Sequence, residues 1–422
     1  MRIEPKLNVF ANGLKYLTLP VPESEMTTIF FGIPTGARHE SPKKRGIAHF
    51  IEHLFFKGCR RYPSPIALNE AVATLGGSFN GATTEEYTYF TIEVPNNFAV
   101  DAVDLAYEVL FYPRILKEEL TRERKVVFDE LLESRMDEAC HVEILFDNLM
   151  YENQPLGWDV NGTFSTMHAL TRSDIMRFFK QWYGVNNMTI IVVGGASFSA
   201  VTKRIAKRFG SIKPIQLPKF QPYRRTGTGP HVRHIHSDIP LTYFMVGVPT
   251  VPLRSPLVET QKLLDQVYGG SGYSRLYSRI RDQEGLSYEL SISSDMYSDA
   301  GHTAVFVAAK TREAQKTLAH IVEECAGLVS CPVSAKELRL AKAVLASEII
   351  SISEDPVSLA VHYFTYLNFV GMLRRPEEIE ASMQAVTLTA IRAFAKRLFD
   401  RPEYCLASIG AKPLKLPTAK YG

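Results

Sequence analysis

Apolar and polar residues recur along the chain with two different periods, and the changes of period predict its elements. An early strand, an Asn12-Gly13 turn and further strand sequence up to residue 33 predict a β-hairpin that opens a folded domain. From Gly46 to Gly58 the residues are apolar nearly all round, which is typical of a short buried helix ended by a glycine. The chain is therefore predicted to begin with strands followed by a buried helix.

The first half contains further predicted elements. These are an amphipathic helix over 64–77, a strand over 78–95 with a polar first half, one long charged helix over 117–150, a strand over 187–195 and a helix to about 209. The stretch that follows, up to residue 230, is rich in Pro, Gly and basic residues, and we place an interdomain linker at 216–230.

The second half repeats the first. MTTIFFGIPTGARHESP, from Met26, aligns with LTYFMVGVPTVPLRSP, from Leu241, and a helix ending in glycine again follows. The alignment predicts an α+β protein of two homologous domains, 1–215 and 231–422. Each is expected to be a mainly antiparallel sheet packed with helices.

Composition narrows the classes of function. The chain has 422 residues, 45% of them hydrophobic, and a net charge of +3, so it can bury a large core but shows no charge excess for binding nucleic acid. No apolar run approaches the ~20 residues of a membrane helix, and the start lacks a secretory pattern. Five scattered cysteines without CxxC spacing predict reduced thiols and a cytoplasmic protein.

Three polar residues interrupt the apolar helix: His49, Glu52 and His53. In a helix the two histidines project from one face, where they can share a tetrahedral zinc, and Glu52 lies beside them as a base for water. Hydrogen-bonded core histidines are the alternative. Burying two imidazoles and a carboxylate in so apolar a helix is nevertheless costly unless they are paired or bind a metal, which favours a metal site.

Two acidic residues of the long helix could complete such a site. Glu123 and Glu130 are seven residues apart and therefore lie on one helix face. Most acidic side chains on such a helix are solvated. The spacing alone does not choose a third ligand between them.

Other polar features each allow two interpretations. The strand over 78–95 is either an ordinary sheet strand or an edge that pairs with an extended peptide. Arg281 and Tyr288 are either structural or donate hydrogen bonds to a carbonyl or carboxylate of a bound peptide. Three histidines near a strand start are interpreted as exposed polar sequence rather than as metal ligands: His231, His234 and His236.

Several motifs together resemble the pitrilysin/insulinase superfamily of zinc peptidases, the inverzincins with an HxxEH motif. The resemblance covers almost the whole chain. It rests on NGL at 12–14, GARHE at 36–40, GIAHFIEHLFFKG at 46–58, GGSFNGATTEEYTYF at 76–90, the helix around Glu123 and Glu130, and SRLYSRIRDQEGLSY at 274–288.

The resemblance implies a processing-peptidase-like metallohydrolase fold and assigns roles by position. His49, His53 and Glu130 become the ligands of one zinc ion per chain. Glu52 becomes the general base, and Glu123 the carboxylate that orients a ligand histidine.

The resemblance also assigns peptide-binding parts. The family's substrate-pairing strand, written N-A-x-T, matches Asn80, Gly81, Ala82 and Thr83, with a glycine in place of the family's alanine. A further Arg/Tyr pair in the family completes the cleft from the inactive half, and it matches Arg281 and Tyr288.

Chains of this length resemble the short branch of the family, which includes bacterial peptidases and the mitochondrial processing peptidase subunits. Because this chain carries both motif sets, the resemblance implies a homodimer in which the Arg/Tyr pair of one chain serves the zinc site of the other. The implied function is a zinc metalloendopeptidase that hydrolyses short or unfolded peptides inside a closed chamber. The alternatives are a presequence-processing peptidase, with Glu40, Glu85 and Glu86 binding basic substrates, and a non-catalytic scaffold subunit.

Overall fold

The computed structural model describes residues 4–227 and 231–417. Residues 228–230 of the predicted linker, residues 1–3 of the first predicted domain and residues 418–422 of the second lie outside the described residues. The chain divides into two compact units, each built from three segments. Unit 1 comprises Met1–Glu133, Trp158–Gln221 and Glu354–Asn368, and unit 2 comprises Ser134–Gly157, Pro222–Ser353 and Phe369–Gly422. The units are thus discontinuous, whereas the domains predicted from the sequence are continuous stretches.

The elements have the following bounds. The strands are β1 Lys6–Val9, β2 Lys15–Pro20, β3 Met26–Ile33, β4 Ser78–Thr83, β5 Thr88–Pro95, β6 Thr189–Gly194, β7 His231–His236, β8 Leu241–Pro249, β9 Ser287–Met296, β10 Gly301–Lys310 and β11 Cys405–Gly410. The helices are α1 Ile47–Phe55, α2 Pro65–Thr74, α3 Ala99–Phe111, α4 Lys117–Met136, α5 Glu138–Met150, α6 Phe164–Ala169, α7 Arg172–Trp182, α8 Phe198–Phe209, α9 Val258–Tyr268, α10 Ala314–Ser330, α11 Ala335–Glu354, α12 Pro356–Thr365, α13 Pro376–Ala385 and α14 Leu388–Phe399.

Unit 1 is built on a six-stranded sheet in the order β1-β2-β6-β3-β5-β4, antiparallel except between β2 and β6. The antiparallel β1–β2 pair confirms the predicted hairpin, and Gly13 in its turn has the left-handed φ of 86°. The strand predicted over 78–95 is wrong in one respect, because it is two strands. The backbone N–H of Thr84 donates to the carbonyl of Tyr87, and this turn folds β4 back on β5.

Unit 2 is built on a five-stranded sheet in the order β7-β11-β8-β10-β9, antiparallel except between β7 and β11. This order repeats the order β2-β6-β3-β5-β4 of unit 1. The aligned stretches from Met26 and Leu241 form β3 and β8, which hold the same place in the two orders. The shared topology confirms an α+β protein of two homologous halves, each a mainly antiparallel sheet packed with helices.

Each sheet is covered on one face by a helix from a distant part of the chain. In unit 1, α12 packs against β3 and β6, and a Cβ at Gly32 would lie 2.4 Å from ring carbons of Phe364. In unit 2, α5 packs against β8 and β11, and a Cβ at Gly247 would lie 2.8 Å from Cζ of Phe146. Gly32 and Gly247 are the aligned glycines of the repeated G-[IV]-P-T sequence. In both halves the missing side chain therefore makes room for a phenylalanine of the helix that comes from a distant part of the chain.

The opposite face of the unit 1 sheet carries the helix with the HxxEH motif. Alternate residues of β3 point to opposite faces, so Phe30 contacts the ring of Phe364 while Phe31 contacts the ring of Phe209 in α8. Buried residues of α1, α3, α7 and α8 complete the core on that second face. The motif helix is therefore part of the buried core on that face of the sheet.

The single long helix predicted over 117–150 is wrong, because α4 ends at Met136 and α5 begins at Glu138. The carboxylate of Asp137 accepts hydrogen bonds from the backbone N–H groups of Ala139 and Cys140 at 2.8 and 3.2 Å. Such a cap satisfies the first N–H groups of a new helix.

Within the described ranges, no helix combines the length and the apolar character needed to cross a bilayer.

Candidate metal centre

Helix α1 begins at a backbone position that suits only glycine. Gly46 has φ 86°, and a Cβ there would lie 2.6 Å from the carbonyl oxygen of Asn161. The carboxylate of Glu40 accepts hydrogen bonds from the N–H groups of Gly46 and Ala48 at 2.7 and 2.8 Å. Burial raises the pKa of Glu40 to about 8, although these hydrogen bonds oppose the rise. The start of the motif helix is thus fixed by internal contacts.

Two imidazole nitrogens and one carboxylate oxygen converge at the side of α1. Nε2 of His49 and Nε2 of His53 are 3.1 Å apart, and Oε2 of Glu130 lies 3.9 and 3.5 Å from them. Ligand atoms on a tetrahedral zinc with bonds near ~2.05 Å are roughly 3.4 Å apart. The three distances lie on both sides of this value, so the donor atoms fit one ion of that size.

The hydrogen-bonding state of these atoms also fits a metal. Oε2 of Glu130, one of the three converging atoms, is buried and has no hydrogen-bond partner. Burial, reinforced by the charge of His53, lowers the pKa of His49 to about 3, so the ring is neutral and has a lone pair for a metal. In the part of the chain that the structure describes, this is the only group of such side chains close enough to hold an ion, and the histidines over 231–236 form none.

On its Nδ1 side, His53 contacts a carboxylate that in turn contacts a lysine. Oε2 of Glu123 lies 3.3 Å from Nδ1 of His53, and Nζ of Lys57 lies 2.8 Å from Oε1 of Glu123. Burial raises the pKa of Glu123, but its hydrogen bonds with His53 and Lys57 lower that pKa overall. A proton on Nδ1 directed at Glu123 leaves Nε2 as the nitrogen that faces the ligand group.

Glu52 is buried beside the ligand group and points toward the end of β4. The exposed fraction of the residue is only 8%, and the hydroxyl of Thr83 donates to its Oε2 at 3.1 Å. Burial raises the pKa of Glu52, although the charge of His53 and the hydrogen bond from Thr83 oppose this. Thr83 was predicted only as part of a peptide-pairing strand, and its contact with Glu52 was not foreseen.

The strand assigned to peptide binding lies at the edge of the unit 1 sheet. Within residues 4–227 and 231–417, β4 pairs only with β5, so its outer backbone groups have no neighbouring strand. The four residues of the predicted motif, Asn80, Gly81, Ala82 and Thr83, all belong to β4. A Cβ at Gly81 would lie 3.3 Å from Cγ of Glu52, so the residue that departs from the family pattern adjoins the predicted base.

The predicted Arg/Tyr pair belongs to unit 2. Arg281 is exposed in a π-helical segment, Tyr277–Gln283, where its guanidinium carbon lies 5.8 Å from the ring centroid of Tyr277. Tyr288 is in strand β9, but its side chain lies outside the described residues. The structure brings together six of the nine residues predicted in unit 1, namely His49, Glu52, His53, Thr83, Glu123 and Glu130. The role of the Arg/Tyr pair stays a prediction.

Two related family models match the chain, one in each half. The model described as "Insulinase (Peptidase family M16)" matches residues 18–163, and the model described as "Peptidase M16 inactive domain" matches residues 169–345. The chain therefore belongs to peptidase family M16, as a short two-domain member.

Its relatives have similar lengths and carry peptidase names. The "Uncharacterized zinc protease YmxG" of Bacillus subtilis is 26% identical over 406 residues, which cover 94% of this chain and 96% of that protein. The "Mitochondrial-processing peptidase subunit beta" of Lentinula edodes is 24% identical and covers 96% of this chain, with 90% of its own length matched. The crystal structure of a protease from Helicobacter pylori has a TM-score of 0.89 at 20% identity and covers 98% of this chain and 100% of its own, which confirms the fold.

Proposed function

We propose that this chain is a zinc-dependent endopeptidase that hydrolyses short or unfolded peptides. The observation that carries the proposal is the convergence of donor atoms from His49, His53 and Glu130 next to the buried carboxylate of Glu52. This set of two imidazoles and one carboxylate is a known catalytic zinc site that leaves a coordination position for water or substrate. The zinc protease names of the relatives agree with it.

The chemistry divides between the ion and the side chains. A zinc ion held by these three ligands would supply Lewis acidity and make water nucleophilic near neutral pH. Glu52 accepts the proton of the attacking water and passes it to the nitrogen of the leaving amine. The hydroxyl of Thr83 donates to Oε2 of Glu52 and so holds the carboxylate of the base in one orientation.

Strand β4 is the proposed peptide-binding element. An extended peptide added along its outer edge would be bound by main-chain hydrogen bonds, which depend little on side-chain identity. Thr83 ends this strand and contacts Glu52. A peptide that pairs with β4 as far as Thr83 therefore has its backbone close to the base. Recognition of backbone shape favours unfolded segments over folded proteins.

We also propose that two chains form a homodimer in which Arg281 and Tyr288 serve the zinc site of the partner chain. Both side chains are hydrogen-bond donors suited to a peptide carbonyl or a developing oxyanion. The presence of the HxxEH motif and the Arg/Tyr pair in one chain supports the proposal, since identical subunits then supply every part.

A presequence-processing peptidase is less well supported, because two of the three glutamates suggested for it are already engaged. Glu40 holds the start of α1, and Glu86 forms a buried ion pair with Arg38 at 2.5 Å. Neither carboxylate is available to an arginine-rich substrate without losing these contacts. Glu85 alone does not make an acidic cleft.

The test of the proposed function compares the wild-type chain with Glu52→Gln. The wild-type chain should bind one zinc per chain and cleave a mixture of unstructured peptides, and a chelator should stop cleavage. Glu52→Gln preserves side-chain shape and the ligands, so it should retain zinc while the cleavage rate falls by about 10²- to 10⁴-fold, the usual contribution of a general base. The exposed Glu70 provides a matched control, Glu70→Gln, with wild-type behaviour. A wild-type chain without bound zinc, or a Glu52→Gln chain with the wild-type rate, would contradict the proposal.

A further inference from the structure

Lys57 lies just after the C-terminal end of α1, in the segment that leaves the motif helix. Its Nζ is 2.8 Å from Oε1 of Glu123, and the two side chains have exposed fractions of 23% and 6%. An exposed lysine–glutamate pair usually contributes little. This pair differs because the carboxylate is almost completely buried and its other oxygen faces His53.

The two oxygens of Glu123 have separate partners. Oε1 accepts from Lys57 and Oε2 lies 3.3 Å from Nδ1 of His53, so both ends of the carboxylate are held. A carboxylate held at both oxygens cannot rotate without breaking a hydrogen bond. The orientation of the imidazole thus depends on a contact one residue further from the ligand group.

We propose that Lys57 is a positioning residue for the metal, and that it acts through Glu123 on the ring of His53. The inference rests on the proposed zinc site. Lys57 keeps Glu123 directed at Nδ1, and this hydrogen bond keeps Nε2 of His53 directed at the ligand group. Without the lysine, Oε1 would be buried with no partner, and the carboxylate would turn toward water.

The expected effect is a loss of zinc affinity. Changing a partner of a metal-ligating histidine typically weakens metal binding 10- to 100-fold. Lys57 acts one contact further away, so Lys57→Met should weaken zinc binding about tenfold, at the lower end of that range. Methionine keeps an aliphatic stem of similar length and therefore removes the charge with little loss of packing. Lys57→Arg keeps the charge and the donors and should stay within about threefold of wild type.

The experiment measures the zinc dissociation constant of the full chain by competition with a chromophoric chelator, with no reference to activity. Lys44 supplies a matched control, because its Nζ lies 2.7 Å from Oδ2 of Asp174 in the same unit and away from the ligand group. Lys44→Met should bind zinc as wild type does. Thermal melts of the metal-free proteins show that each variant is folded, and Lys57→Gln replaces Lys57→Met should the latter unfold.

A double-mutant cycle tests the route through Glu123. In a Glu123→Gln background, Lys57→Met should add less than about a twofold effect, because the two changes break one chain of contacts. A full tenfold effect in that background, or equal zinc affinities of wild type and Lys57→Met, would overturn the proposed role of Lys57 but not the proposed metal site. A wild-type chain that fails to bind zinc would instead overturn the proposed metal site, and the role of Lys57 with it.

Discussion

The hydrogen bond between Thr83 and Glu52 joins the proposed peptide-binding strand to the proposed base, and Thr83→Val isolates it. Valine has nearly the same shape as threonine and is equally suited to a strand, so the change replaces a hydroxyl by a methyl and leaves the backbone of β4 intact. The bond removed is the one of 3.1 Å to Oε2 of Glu52. The predicted result is a loss in kcat with little change in KM.

The magnitude follows from the partners. A hydrogen bond to a charged group contributes about 1.5–3 kcal/mol. Because Glu52 is buried, with an exposed fraction of 8%, water does not readily replace the lost donor. If the whole contribution is needed in the transition state, kcat falls about 10- to 150-fold. KM stays within about threefold, because peptide pairing uses the main chain of β4 and not this hydroxyl.

Steady-state cleavage of a fluorescence-quenched peptide measures both constants. Thr83→Ser restores the hydroxyl and should recover most of kcat, and zinc content should be equal in all three proteins. A Thr83→Val chain with wild-type kcat would refute the reasoning. A rise in KM alone would show that Thr83 acts on the peptide and not on Glu52.

Three further outcomes are expected. Gly32→Ala should lower the free energy of unfolding in urea by about 1–3 kcal/mol through overpacking against Phe364 and Phe30. It should cost less in a Phe364→Ala background, where only the contact with Cε1 of Phe30 remains. Burial raises the pKa of Asp265 to about 6, so its proton is favoured in the folded state and its contribution to stability is lost as pH rises from about 4 to 6. The unfolding free energy of Asp265→Asn relative to wild type should therefore rise across that window, by on the order of 3 kcal/mol in denaturant titrations. Finally, mixing Glu52→Gln with Arg281→Ala chains should restore about a quarter of wild-type activity if the Arg/Tyr pair acts on the partner chain, and none if it acts within one chain.

Local patterns were sufficient for most elements of the fold but not for their partners. The hairpin, α1 and the repeated strands follow from hydrophobic period and glycine position, which are local signals. The break at Asp137 was missed because one capping residue interrupts an otherwise continuous helical pattern. That α5, from the first half of the sequence, belongs to unit 2, and α12, from the second half, to unit 1, was missed for another reason. It depends on contacts such as Phe364 with Gly32, which are far apart in the sequence and carry no local pattern.

The site shows the same division. The spacing of His49 and His53 was enough to predict that two imidazoles share one face, because that geometry is internal to a helix. The roles of Glu123 and Glu130 could not be separated by spacing, since both lie on one face of α4. Tertiary packing separates them, because Glu123 reaches Nδ1 of His53 while Glu130 reaches Nε2 of the same ring.

The two halves of the molecule also show how the proposed metal site differs from an ordinary buried polar cluster. Helix α9 follows the repeated G-[IV]-P-T sequence in unit 2, as α1 does in unit 1, and it too buries polar side chains. There Nε2 of Gln261 donates to Oδ1 of Asp265 at 2.7 Å, and the hydroxyl of Thr303 donates to the same oxygen at 3.0 Å. That cluster satisfies itself. In unit 1, Oε2 of Glu130 is left without a hydrogen-bond partner at the point where two imidazole nitrogens also meet. Because leaving buried polar atoms unpaired is costly, a further partner such as the proposed zinc ion would stabilise this arrangement.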